Sequence, residues 1–90
     1  MVRIHSHALK HGLEAEDIAY AWEHSIRCRQ RMGSDDPPIW ISIGVLPNGR
    51  MAELVGFLDV SGTWCIFHAM TPPTKKFKHE LGLDGRQRNG

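Results

Sequence analysis

The chain has only two cysteines, Cys28 and Cys65, no Cys-x-x-Cys pair, no long apolar run and almost no excess of charge of either sign. Each shortage removes a class of protein. Two cysteines cannot build the disulfide framework of a small secreted domain, and free thiols suit a reducing compartment. Without paired cysteines a thiolate zinc site lacks its ligands. Without an apolar run of about 18 residues no helix can span a bilayer. Residues 1–10 lack the continuous apolar stretch of a signal peptide. The chain therefore reads as cytoplasmic, with no membrane partner. Eleven Lys and Arg against ten Asp and Glu give a net charge of +1. That balance excludes a polybasic tail protein and an acidic disordered segment, and it weighs against a general nucleic-acid binder.

What remains is ordinary globular material. Hydrophobic residues are 41% and charged residues 23% of ninety, enough for one small domain with a single core and no internal repeat. Residues 1–83 read as that domain, and 84–90, with two Gly and no apolar side chain, as a flexible tail. Six His form the one unusual count, and imidazoles titrate near neutral pH. The even charge total also hides its distribution. Residues 71–90 carry five cations against two anions, and Arg27, Arg29 and Arg31 stand together just after an acidic segment.

Periodicity and breakers predict the elements. Val2 and Ile4 suggest a short edge strand. Ser6 is placed to cap a short helix over 7–11 that Gly12 ends. Ala15, Ile18, Ala19, Trp22 and Ile26 recur at helical spacing, which predicts a helix over 15–25 with Glu14, Glu16 and Asp17 at its positive end. From Ile26 to Met32 the period changes to two, which favours a strand with three guanidinium groups on one face over a continued helix that would spread them round the cylinder. The breakers at 33–38 form a loop. Strands over 40–46, 51–59 and 64–69 make a meander, joined at Asn48-Gly49 and Ser61-Gly62. Thr74 caps a helix over 75–81, with Phe77 and Leu81 inward and Gly82 at its end. The expected fold is α+β: a small antiparallel sheet, with a three-strand meander plus one or two edge strands, packed with N-terminal helices and a C-terminal helix. Trp22, Trp40 and Trp64 are expected in the core.

Three segments carry a family resemblance: Ser6 to Leu13 followed by Glu16, Asp17, Ile18 and Ala21; Ile43-Gly44 before Asn48-Gly49-Arg50; and Ile66-Phe67-His68-Ala69-Met70 before two prolines and a basic helix. In this order they resemble the BrnT-type toxins of the RelE-like ribonuclease superfamily, over roughly residues 5–81. The resemblance implies the RelE/BrnT-like fold and the toxin component of a type II toxin–antitoxin system. Such a toxin is a metal-independent endoribonuclease that cleaves RNA, inhibits translation, and is neutralised by a cognate protein antitoxin with which it assembles. It uses no cofactor. Two departures stand out. Met70 occupies the position of a family Arg and His68 that of a Ser, and the following helix carries Lys75, Lys76 and Lys78 instead of several Arg. They leave open a catalytically inactive relative that acts as a protein-binding module.

Metal-independent RNA cleavage needs a base, an acid and cations around the phosphate. The candidates are His68 as acid or base, with Lys10 or His11 as its complement, and Arg27, Arg29, Arg50, Lys75 and Lys76 as RNA or phosphate ligands. Each has a plainer reading. His68 can hydrogen-bond a nearby carbonyl, and His11 can be a helix-end cation. The lysines can be solvated surface, and Arg50 a turn residue. The three arginines can be the charged face of an edge strand that resists aggregation. The pairs His5/His7 and His7/His11 lack the third ligand that zinc requires, so no metal site is expected. An antitoxin would dock on the cationic face through acidic side chains or an amphipathic helix, in a complex weakened by salt.

Overall fold

In the computed structural model, residues 2–33 and 35–83 are described, and the tail expected at 84–90 lies outside them. Five strands form one sheet: β1 (Val2–Ile4), β2 (Ser25–Gln30), β3 (Trp40–Val45), β4 (Met51–Leu58) and β5 (Trp64–Met70). A 3-10 helix (Ser6–Leu9) and α1 (Ala15–Glu23) lie between β1 and β2, and α2 (Lys75–Glu80) follows β5. The spatial order is β1-β5-β4-β3-β2. The meander appears as expected, joined at Gly49 and Gly62, both at positive φ. The sheet is mixed, however, and not antiparallel. Val2, Arg3 and Ile4 pair in parallel with Trp64, Cys65 and Ile66. Pairing across some sixty residues has no local sequence signal. The burial of Val2 and Ile4 against the core decides it.

The two faces of the sheet are covered by different helices. Ala52, Leu54, Ile66 and Ala69 face Ala8, Ile18 and Ala21. Ile41, Ile43 and Val55 face Phe77 of α2 and Leu81 at its C-cap. Each large aliphatic side chain so buried contributes about 1.5–3 kcal/mol. The tryptophans are half-buried at the rim of the first face and pack on one another. Trp64 lies 5.2 Å from Trp22 and 5.9 Å from Trp40 between ring centres. Cys28 and Cys65 are both free.

Local boundaries follow the caps. His5, and not Ser6, caps the 3-10 helix, its Nδ1 accepting from the His7 N–H at 3.1 Å. α1 stops at Glu23, two residues short of the expected end, because the His24 carbonyl already accepts from Val45 N–H in the sheet. The arginine-bearing strand then begins at Ser25, and every residue of it is exposed.

α2 has six residues, too few to hold a helix in isolation. Thr74 caps it by accepting from the Phe77 N–H, and the arginine face clamps its far end. Arg27 donates to the Leu81 carbonyl at 2.9 Å and Arg29 to the Glu80 carbonyl at 3.0 Å. Arg31 donates twice to the Glu80 carboxylate, at 3.1 and 3.0 Å. Cations and unsatisfied carbonyls at a helix C-terminus attract each other.

The turn between β4 and β5 is organised by Asp59. Its carboxylate accepts from the Ser61 hydroxyl, the Thr63 and Ser61 N–H groups, and Arg3. These bonds, led by that of the Ser61 hydroxyl, pull the Asp59 pKa down to about 2. A carboxyl whose folded pKa is depressed stabilises the fold above its ordinary value of 3.8, and loses that contribution as pH falls toward 2. Asp59→Asn should therefore be less stable than the parent at pH 5, with the gap closing between pH 4 and pH 2 in thermal melts. A gap independent of pH would refute this role.

Candidate functional site

Strict alternation along β5 would bury His68 with Ile66 among the aliphatic side chains. A β-bulge prevents it. Val55 pairs with His68 but the adjacent Gly56 pairs with Ile66, so Phe67 is an extra residue on β5. Ile66 and Ala69 keep the first core face, and Phe67 and His68 both turn to the side of α2. Re-aiming a side chain is what a bulge does physically.

There His68 meets a buried carboxylate. Its Nε2 lies 2.7 Å from Glu53 Oε2 of β4, and Glu53 Oε1 accepts from the Thr74 N–H at 2.7 Å. The Glu53 side chain is 4% exposed and that of His68 27%. An ionised carboxylate only accepts, so neutral His68 donates from Nε2 and carries its lone pair on Nδ1. Glu53 thus fixes ring orientation and tautomer together. The imidazole also stacks on Phe77, with ring centres 6.0 Å apart, and meets His11 edge-on at 5.7 Å.

The pair opens on a cleft of about 580 Å3, whose polar lining includes His7, Lys10, Arg31, Asp35 and Lys76 and whose apolar lining includes Phe67 and Phe77. The 3-10 helix, packed against β5, brings His7 and Lys10 to this rim. α2 brings Lys76.

Of the residues singled out in the sequence, His68, Lys10 and Lys76 line this cleft, and His11 packs on the His68 ring without being part of the lining. Lys75 is exposed in the first turn of α2 and is not part of the cleft lining. Arg50 lies by a second cleft, with Lys78. Arg27 and Arg29 are committed to the last carbonyls of α2, which accounts for their face without a phosphate. His68 hydrogen-bonds a carboxylate, not the carbonyl of the plainer reading.

Sequence reasoning passed over Glu53. The signal was present: one charge in an otherwise apolar strand, MAELVGFL. A charge at such a position is either exposed or paired, and the identity of its partner depends on the bulge. Among the described residues no three His, Cys, Asp or Glu side chains converge as a metal-binding group, and no helix is long and apolar enough to cross a membrane.

A hydrogen-bonded imidazole–carboxylate pair, a second imidazole and two ammonium groups beside one cleft can transfer protons and bind an anion. No family model, curated protein or solved structure matches the chain.

Proposed function

We propose that the chain is a metal-independent endoribonuclease, the toxin of a type II toxin–antitoxin pair of the RelE/BrnT-like kind its motifs resemble. The observation that carries this reading is His68, held by buried Glu53 at the wall of a cleft that also bears Lys10 and Lys76.

The chemistry needs only side chains. His68 Nδ1 takes the proton of a 2′-hydroxyl, and the 2′-oxygen attacks the adjacent phosphorus. The bond from phosphorus to the 5′-oxygen breaks, and that oxygen takes a proton from His11 or Lys10. The products are a 2′,3′-cyclic phosphate and a 5′-hydroxyl. Glu53 stabilises the imidazolium formed in the first step, and Lys76 holds the non-bridging oxygens. The same cations offer a docking site to acidic side chains of an antitoxin, whose complex then weakens as salt rises.

The test is cleavage of single-stranded RNA by purified protein in excess chelator, with growth on induced expression as a second readout. The parent should cut, leave cyclic-phosphate ends and arrest growth. His68→Ala should cut about 100- to 10,000-fold more slowly, and Lys10→Ala at least about tenfold more slowly. His68→Ala also leaves Glu53 buried with one partner fewer, at a cost of about 1–3 kcal/mol, so its melting temperature is measured alongside. Intact RNA and undisturbed growth with the parent would sink the reading, as would full activity in both variants.

A further inference from the structure

The second cleft, of about 360 Å3, lies against the turn before β4 and the prolines before α2, and Arg50, Lys78 and Met51 line it. Among the described residues neither the Arg50 nor the Lys78 side chain makes an ion pair. Two cations thus share one concavity with no counter-charge paired to them among the described residues. The floor is apolar, from Met51, 39% exposed, with Pro72 and Pro73.

Its place relative to the first cleft is set by the strand. Met51 and Glu53 are successive same-face residues of β4, one at each cleft. At a strand rise of about 3.3 Å per residue they stand about 7 Å apart. On α2, Lys76 lines the first cleft and Lys78 the second. An interval of about 7 Å between strand positions, one at each hollow, is comparable to the repeat of an extended polynucleotide, in which each phosphate is followed by another one nucleotide on. Apolar side chains between cations suit the faces of bases, as in other grooves for single strands.

We propose that Arg50 and Lys78 form a flanking subsite that holds a phosphate about one or two nucleotides from the scissile one, so that the chain binds single-stranded RNA along both clefts. The proposal rests on the ribonuclease reading for the role of the first cleft, and on the second cleft for its own content. It makes the enzyme prefer oligonucleotides to a dinucleoside monophosphate, because only the longer chain reaches the second pair of cations.

The experiment uses Arg50→Ala, Lys78→Ala and the double variant, each checked by thermal melting. The first arm measures binding of a 2′-deoxy hexanucleotide, which lacks the attacking hydroxyl, by fluorescence anisotropy over a salt series. The double variant should bind at least about tenfold more weakly, and the slope of log K against log salt should fall by about 0.7 for each phosphate that is no longer neutralised. The second arm compares kcat/KM on a hexaribonucleotide with that on a dinucleoside monophosphate. The double variant should lose about tenfold or more on the hexamer and nothing beyond about twofold on the dinucleoside monophosphate. Equal affinity and equal slope in parent and variants would overturn the subsite, as would failure of the parent to bind the hexamer. Hexamer binding that depends on Arg50 and Lys78, with no cleavage of any RNA, would keep the subsite and overturn the ribonuclease reading.

Discussion

On the proposed ribonuclease reading, Glu53→Gln should lower RNA cleavage by about 100- to 10,000-fold while leaving the chain folded. The substitution keeps volume and shape, and the amide oxygen still accepts from the Thr74 N–H. What changes is the group facing His68. The carboxylate oxygen 2.7 Å from Nε2 becomes an NH2, which can only donate. His68 must then present a lone pair at Nε2 and carry its proton on Nδ1, the nitrogen left to the cleft. The base is lost through the wrong tautomer, not through displacement. Loss of the buried charge also removes the partner of the imidazolium. A merely structural Glu53 would give another pattern: lower stability with kcat largely intact in the folded fraction. The measurements are kcat, KM and the pH dependence of kcat, with a melting curve as control. The loss should fall on kcat, with KM within about threefold, and the acidic limb of the parent's pH profile, which the base sets, should change. An unchanged pH profile and a kcat within about threefold of the parent would remove Glu53 from the machinery.

The second large effect is on stability. Gly44→Ala should cost about 3 kcal/mol or more, at the upper end of what overpacking does, and lower Tm by about 10–25 °C. A Cβ at position 44 would lie 1.9 Å from the Ala21 carbonyl oxygen and 2.7 Å from its carbon. These are backbone atoms of α1, so no side-chain rotation relieves the clash. α1 cannot retreat cheaply either. Ile18 and Ala21 are fully buried beneath it, and Val45 N–H is bonded to the His24 carbonyl at its end. Gly44 therefore sets how closely α1 lies on β3. This is a physical reason for the Ile43-Gly44 pair noted in the sequence. Thermal melts of parent and variant decide it, and a Tm within about 3 °C of the parent would show that α1 shifts freely.

Much of the fold was legible because its signals are local. The Asn48-Gly49 and Ser61-Gly62 turns, the Thr74 cap and the Gly82 stop each depend on a few neighbouring residues. The element ends that moved did so for tertiary reasons. α1 ends early because the sheet claims the His24 carbonyl, and the 3-10 helix takes the imidazole of His5 as its cap. The site was half legible. Residue type alone marked His68, Lys10, His11 and Lys76 as able to move protons or hold phosphate. The arginine stripe was equally visible, and its period of two marks the strand that the structure contains. Its main commitment was not visible, because the carbonyls it serves lie some fifty residues away.

By itself the sequence determined the α+β class, the meander, the bounds of most elements and the kinds of chemistry available, since hydrophobic period, turn residues and side-chain type act over short range. Only the tertiary structure decided the parallel pairing of β1, the clamp of Arg27, Arg29 and Arg31 on α2, and the partner of His68. One inserted residue at Phe67 turns that histidine from the aliphatic core to a buried carboxylate. A bulge is a compromise between two packed faces, and no window of sequence contains both.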